Sequence, residues 1–195
     1  MEEIREKKQE IRDEMARRRQ TLTPEQIGEK VRAIENRLFE FANFLESRIV
    51  LLYTASPGEV DTASIVNRSL MYNKIIVLPA FDPESRKARL FKVDDVEKDL
   101  IPGIRGNLEP NPKRCKTVPL DCLDIAIIPG LSMDEKGGRV GIGKGHYDRL
   151  IPDLPITTRK VGLIFEKLIV PSVPMESHDK HVDIVVTEDR IIYKI

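Results

Sequence analysis

Residues 129–149 read Pro-Gly-Leu-Ser-Met-Asp-Glu-Lys-Gly-Gly-Arg-Val-Gly-Ile-Gly-Lys-Gly-His-Tyr-Asp-Arg, and five of the chain's 11 glycines fall between 137 and 145. Gly137, Gly138, Gly141, Gly143 and Gly145 have no Cβ, so their N–H groups can approach and surround a phosphate. Arg139, Lys144 and Arg149 put positive charge in the same segment. Asp134 and Asp148 are carboxylates suited to Mg²⁺. A helix is expected to begin near Gly145, and its N-terminus favours an anion. Two known phosphate loops are only partly matched. Gly138-x-x-x-x-Gly143-Lys144 has Gly145 where a hydroxyl residue would bind Mg²⁺, and Gly141-x-Gly143 is followed by His146 where a third glycine belongs. The alternative is a flexible glycine loop with solvated charges. Three cations and two carboxylates in the same loop favour phosphate binding.

Other residues could act with this loop. Lys8 and Arg12 lie one helical turn apart and can face one way. Arg5, Lys7, Arg17, Arg18 and Arg19 are equally basic, so a solvated helix face is the competing reading. His178-Asp179-Lys180-His181 suggests a metal, but one cluster without further ligands is more often a polar loop. Cys115 and Cys122 are the only cysteines. With no His partners nearby they make no zinc site, and they read as free thiols. No Ser-His-Asp or Cys-His constellation is evident.

The 195 residues suit one domain, 1–195. Lys+Arg and Asp+Glu balance at 32 each, which argues against a nucleic-acid partner and confines phosphate binding to local clusters. The N-terminus is charged from Glu2 and has no apolar segment of a signal peptide. No apolar run reaches the ~18 residues of a membrane span. A cytoplasmic protein without a membrane partner is expected.

The elements that must position these residues alternate. Residues 2–20 contain no Gly or Pro and read as a helix whose apolar stripe, Ile4, Ile11 and Met15, is thin. Thr23-Pro24-Glu25-Gln26 reads as N-cap, N1 proline and capping-box glutamine. Ile27, Val31, Ile34, Leu38, Phe41 and Leu45 then form one continuous helical face. Strands are expected over 48–54, 74–80, 88–93, 123–128, 160–165, 182–186 and 191–193, the third antiparallel to its neighbour. Asp61 can cap a helix carrying Ile65, Val66 and Leu70. Residues 94–120 read mainly as a long loop. The fold class is α/β: an open, mostly parallel twisted sheet with helices on both faces and two helices at the N-terminus. Ligands then sit beyond the carboxyl ends of strands, in the loops after Thr54, Ile128 and Phe165.

Pro129-Gly130-Leu131, Asp134, Gly138-Arg139, Gly141-x-Gly143-x-Gly145 and Tyr147-Asp148-Arg149 resemble the signature of the 5-formyltetrahydrofolate cyclo-ligase family. The likeness extends to Lys8-x-x-x-Arg12, to Glu59-Val60-Asp61-Thr62, to Gly103-Ile104 with Glu109-Pro110, and to Pro174, His178-Asp179 and Thr187-Glu188. His146 stands where the family usually has the first of two tyrosines, and Met133 where an aromatic is common. The resemblance implies ATP- and Mg²⁺-dependent closure of 5-formyltetrahydrofolate to 5,10-methenyltetrahydrofolate. It implies that Lys144 and Arg139 neutralise the transferring phosphoryl group. Lys8, Arg12, Arg139, Gly141, Gly143, Lys144, Gly145, His146 and Tyr147 would bind ATP, and Asp148 and Asp179 would bind Mg²⁺. Thr54 and Glu59 would line one pterin pocket, joined by Ile142, Gly143, Lys144, Gly145 and His146. A monomer is expected. The alternatives are a non-catalytic nucleotide- or RNA-binding protein on the same fold, and a kinase with another small-molecule acceptor.

Overall fold

The computed structural model describes residues 2–85, 87–103, 106–177 and 179–194. His178 and Ile104, both named from the sequence, lie outside the described residues. Helix α1 (Glu2–Gln20) is followed by α2 (Pro24–Glu40), and α2 starts as its sequence dictates. The Thr23 hydroxyl accepts the Gln26 N–H, and the Gln26 side chain accepts the Thr23 N–H. The expected apolar face does not run on to Leu45. At Phe41 the backbone turns extended (φ −77°, ψ 118°) and its N–H closes on Leu38 O. The chain restarts as the short α3 (Ala42–Glu46) with its phase changed, so Phe41 is buried while Leu45 is 47% exposed. The buried Lys74 ammonium finishes α3 by donating to Phe44 O (2.6 Å) and Ser47 O (2.6 Å).

The strands are β1 (Ile49–Leu51), β2 (Ile75–Phe81), β3 (Ala88–Val93), β4 (Leu100–Pro102), β5 (Leu108–Pro110), β6 (Ile125–Ile128), β7 (Ser132–Met133), β8 (Arg139–Val140), β9 (Arg159–Leu163), β10 (Ile184–Val186) and β11 (Ile191–Tyr193). The remaining α-helices are α4 (Ala63–Met71), α5 (Val96–Asp99) and α6 (His146–Asp153). Seven strands form the main sheet in the order β11-β10-β9-β6-β1-β2-β3. The five inner strands run parallel, and an antiparallel strand closes each edge. The segment 94–120 is not a plain loop. It folds into α5 and the β4–β5 hairpin, because Asp95 caps α5 by accepting the Glu97 and Lys98 N–H groups. The cap of α4 also shifts by one: Thr62 is the N-cap, and Asp61 accepts the Ala63 N–H (3.0 Å).

The winding fixes where a ligand can bind. From β1 the chain passes through α4 to β2, toward one edge. From β6 it passes through α6 to β9 and then to β10, toward the other. Parallel crossovers are right-handed, so α4 and α6 cover opposite faces. The direction therefore reverses between β1 and β6, and the crevice opens beyond their carboxyl ends. Ile125 to Ile128 are all buried, as a strand covered on both faces requires.

Candidate active site

The loop leaving β6 is built before it can bind anything. Strands β7 and β8 pair Ser132 with Val140 and Met133 with Arg139. Asp134 closes the turn between them. Its Oδ1 accepts the Gly138 N–H (2.8 Å) and the Lys136 N–H (3.0 Å), and its Oδ2 accepts the Val173 N–H (2.7 Å). This buried carboxylate is committed to backbone donors and does not line the cleft, so the sequence reading of Asp134 as a magnesium candidate is corrected. The glycines also divide. A Cβ on Gly137 would lie 2.2 Å from Val182 O, and one on Gly138 would lie 2.6 Å from Asp134 Oδ2. Gly141 has Arg139 Nη1 where its Cβ would be, at 2.7 Å. Gly137 and Gly138 are demanded by packing, whereas Gly141 lies against the tip of the Arg139 side chain. Gly143 (φ +92°) and Gly145 (φ +67°) adopt left-handed backbone and front the open cleft. Met133 is fully buried with its sulfur over Gly162, so the protein fills this place without an aromatic ring.

A cleft of about 750 Å³ lies between α1, the glycine loop, the start of α6, Glu176 and Asp179. Arg5, Lys8, Arg12, Lys144 and Arg149 line it, against Asp148, Glu176 and Asp179. Excess positive charge beside a helix N-terminus suits a polyanion. Lys8 and Arg12 are not a solvated face. The buried Lys8 ammonium meets the Asp179 carboxylate and lies 3.8 Å from Glu176 Oε2. The Arg12 guanidinium donates to Gly141 O (2.8 Å). Asp148, in the first turn of α6, is ion-paired to Arg139 Nη2. Arg139 itself is buried under the loop. It also donates to Pro129 O (3.2 Å), while its Nε has no hydrogen-bond partner. It faces a second, narrow pocket and not the cleft.

That narrow pocket is lined by Glu59, Arg139, Ile142, His146 and Tyr147, and it shares Gly143, Lys144, Gly145 and Asp148 with the cleft. Glu59 is buried, and its Oε2 accepts the Ser56 N–H (2.7 Å). His146 and Tyr147 pack their rings 4.6 Å and 5.5 Å from Phe81. Tyr53, fully buried behind Glu59, donates to Val60 O (2.9 Å), and burial pushes its phenol well above the ordinary range. Thr54 is not in this pocket, contrary to the sequence reading. It turns into an apolar cavity of about 280 Å³ between α4 and the β4–β5 hairpin. There the Asn107 amide donates to Thr54 O and Oγ1, both 2.8 Å.

The candidate residues therefore fall into three sets. Lys8, Arg12, Gly143, Lys144, Gly145, Asp148 and Asp179 share the cleft. Glu59, Arg139, Gly141, Ile142, His146 and Tyr147 share the narrow pocket with the glycine loop. Thr54 stands apart. Glu176 escaped sequence reasoning. Its only signal is an acid three residues before Asp179, which is common in any polar loop. Among the described residues no group of three or more His, Cys, Asp or Glu is gathered as a metal site. Cys115 is buried, Cys122 is exposed, and both are free.

A doubly wound α/β protein with a cation-rich cleft at its switch point is thus defined by fold and site. Comparison with known proteins narrows the class. A profile of the 5-formyltetrahydrofolate cyclo-ligase family matches residues 4–188. The chain is 28% identical to the probable 5-formyltetrahydrofolate cyclo-ligase of Caenorhabditis elegans, over 98% of both chains. It is 29% identical to the 5-formyltetrahydrofolate cyclo-ligase of Escherichia coli strain K12, over 89% of this chain and 96% of the other. The solution structure of Aquifex aeolicus 5,10-methenyltetrahydrofolate synthetase superposes with a TM-score of 0.83 at 28% identity, covering 96% of this chain and 92% of that one. The chain belongs to the 5-formyltetrahydrofolate cyclo-ligase family and is an enzyme. Among the described residues no helix is long and apolar enough to cross a membrane.

Proposed function

We propose that this enzyme converts 5-formyltetrahydrofolate and ATP to 5,10-methenyltetrahydrofolate, ADP and phosphate. The observation that carries the reading is the junction at Gly143–Asp148. Lys144 fronts both the polyanion-sized cleft and the narrow pocket of Glu59. A phosphoryl donor on one side and an acceptor on the other would meet there. In this reading the formyl oxygen attacks the γ-phosphate, N10 adds to the activated carbon, and phosphate leaves. Such transfer needs positioning and charge neutralisation more than a protein nucleophile.

Each residue then has a task. Lys8, Arg12 and Lys144 hold the phosphates, and Gly143 and Gly145 offer N–H groups that no Cβ obstructs. Arg139 orients Asp148 and, from beneath the loop, adds positive charge near the transferring group. Glu59 accepts hydrogen bonds from pterin N–H groups. His146 and Ile142 close the pocket around the ring, and Thr54 with its apolar cavity receives a further part of the folate. Asp148 and Asp179 face one cleft and are hard oxygen donors. They fit Mg²⁺ arriving with nucleotide oxygens and waters, as a two-carboxylate site requires. Bound there, Mg²⁺ supplies charge neutralisation at the phosphates. In the free protein Lys8 and Arg139 balance those carboxylates. We read residues 1–195 as one functional unit working as a cytoplasmic monomer, for which two free thiols are suited.

The test is direct. Protein, MgATP and 5-formyltetrahydrofolate are mixed and the absorbance of the methenyl product is followed. Product is expected only when ATP and Mg²⁺ are both present. Folded protein that yields none, or yields it without ATP, would sink the reading.

A further inference from the structure

Lys8, Arg12, Met15 and Arg19 recur at a spacing of 4, 3 and 4, so they share one face of α1. Met15 is buried at the centre of that face. Each of the three cations reaches a different loop of the site. Lys8 meets Asp179, Arg12 donates to Gly141 O, and Arg19 Nη1 donates to Gly58 O (3.0 Å). The Arg19 guanidinium also lies 5.1 Å from the centroid of the buried Phe165 ring, which restricts its rotamers.

The Gly58 carbonyl belongs to the peptide that leads into Glu59. The N–H of that same peptide donates to Ser56 O (3.1 Å). Both ends of the unit are therefore held, one by the turn itself and one by Arg19. Gly58 lies close against the neighbouring loop. Its φ is +97°, and a Cβ there would lie 2.7 Å from Leu131 Cδ2, so the turn is wedged against the start of the glycine loop. Rotating the Gly58–Glu59 peptide would swing the Glu59 carboxylate out of the narrow pocket.

We propose that Arg19 is a positioning residue for the reaction: from the last turn of α1 it fixes the peptide that aims Glu59 at the folate. This rests on the reading of Glu59 as a folate contact. Lys8, Arg12 and Met15 anchor α1 independently, so the nucleotide side should not respond.

The experiment compares Arg19→Met, Arg19→Lys and Glu59→Gln with the natural protein. Affinities for 5-formyltetrahydrofolate and for MgATP are titrated separately by calorimetry, with KM and kcat measured alongside. Arg19→Met is expected to weaken folate binding about tenfold, comparable to Glu59→Gln. MgATP affinity should stay within about twofold, and Arg19→Lys, which keeps the charge but not the planar stack on Phe165, should show a smaller loss of folate affinity, about threefold, with MgATP affinity again unchanged. Equal weakening of both ligands would make Arg19 a general structural prop and overturn the proposal. So would unchanged folate affinity in Arg19→Met while Glu59→Gln is weakened. Unchanged folate affinity in Glu59→Gln would overturn the reading of Glu59, and the role of Arg19 with it. If Arg19→Met fails to fold, Arg19→Lys carries the test, since it keeps the charge and loses the planar stack on Phe165. Folate affinity lowered alone supports the proposal, and an unchanged or equally lowered pair overturns it.

Discussion

Lys144 is exposed on the rim where the cleft and the narrow pocket meet, whereas Glu59 is buried on the far wall of the pocket. Their substitutions should therefore separate. Lys144→Ala removes a charge that matters most as negative charge moves between donor and acceptor. It is expected to lower kcat by about a hundredfold or more, the size found when one preorganised electrostatic partner is lost. Glu59→Gln keeps the shape and should raise KM for folate while leaving ATP affinity in the free enzyme nearly unchanged. Titration of each variant with each ligand, beside steady-state kinetics, reads the difference. Loss of ATP binding in Glu59→Gln with intact turnover in Lys144→Ala would reverse the assignment of the two walls. At this scale the sequence displayed which residue types could act, because glycines, cations and carboxylates crowd one segment. It did not display what each one faces. Asp134 and Asp148 look alike in the chain, yet one holds backbone N–H groups and the other lines the cleft. That distinction depends on Val173 and on the β7–β8 turn, which lie outside any local pattern.

Elements were legible where their signals are local. The capping box of α2 involves residues three apart and is realised as read. The antiparallel edge strand β3 followed from its short connection. The β4–β5 hairpin was not legible, since its pairing of Leu100 with Pro110 spans a segment rich in Pro, Gly and Asn that mimics a loop. The end of α2 was missed because Phe41 is taken into the core against Tyr193, a contact from the opposite end of the chain. Glycines test the same divide. Gly28 lies inside α2 with nothing within 4 Å of the place a Cβ would take, so Gly28→Ala should stabilise by about 0.5–1 kcal/mol through helix propensity. Gly137 has φ +82° and Val182 O in the way, so Gly137→Ala should destabilise by more than about 2 kcal/mol. Urea unfolding of both variants checks this. A destabilised Gly28→Ala or a neutral Gly137→Ala would contradict the geometry.

For the whole molecule, the parallel sheet could be anticipated from buried apolar runs, but the strand order could not. The reversal between β1 and β6, which creates the crevice, is a property of how the chain winds. What then locks the far side of the sheet is a charged network at the ends of β9 and β10. Glu166 accepts Arg190 Nε (3.0 Å), Arg190 Nη2 (2.7 Å) and the Thr187 hydroxyl (2.7 Å). Glu188 accepts the Glu166 N–H (2.8 Å) and pairs with Lys30 of α2, while Arg37 donates to Glu188 O (2.9 Å). The Arg190 hydrogen bonds hold the Glu166 carboxyl below its ordinary value of 4.5. The unfolded chain therefore binds this proton more readily than the folded one, and stability rises with pH through the window between the two values. The contribution is fully present above about pH 4.5 and is lost as pH falls through the folded value. Asp99 shifts in the same direction: burial raises its carboxyl, but the backbone N–H groups of Asp94 and Asp95 and the Arg114 guanidinium together lower it further, so the acid limb sums more than one carboxylate. Glu166→Gln should lower stability at neutral pH by roughly 0.5–1 kcal/mol, the scale of a partly exposed ion pair. It should also flatten the decline below about pH 4.5, bringing the two proteins together once the pH has fallen past the folded value. Urea midpoints measured across that range decide the matter, and parallel curves for variant and natural protein would show that Glu166 has no part in the acid response.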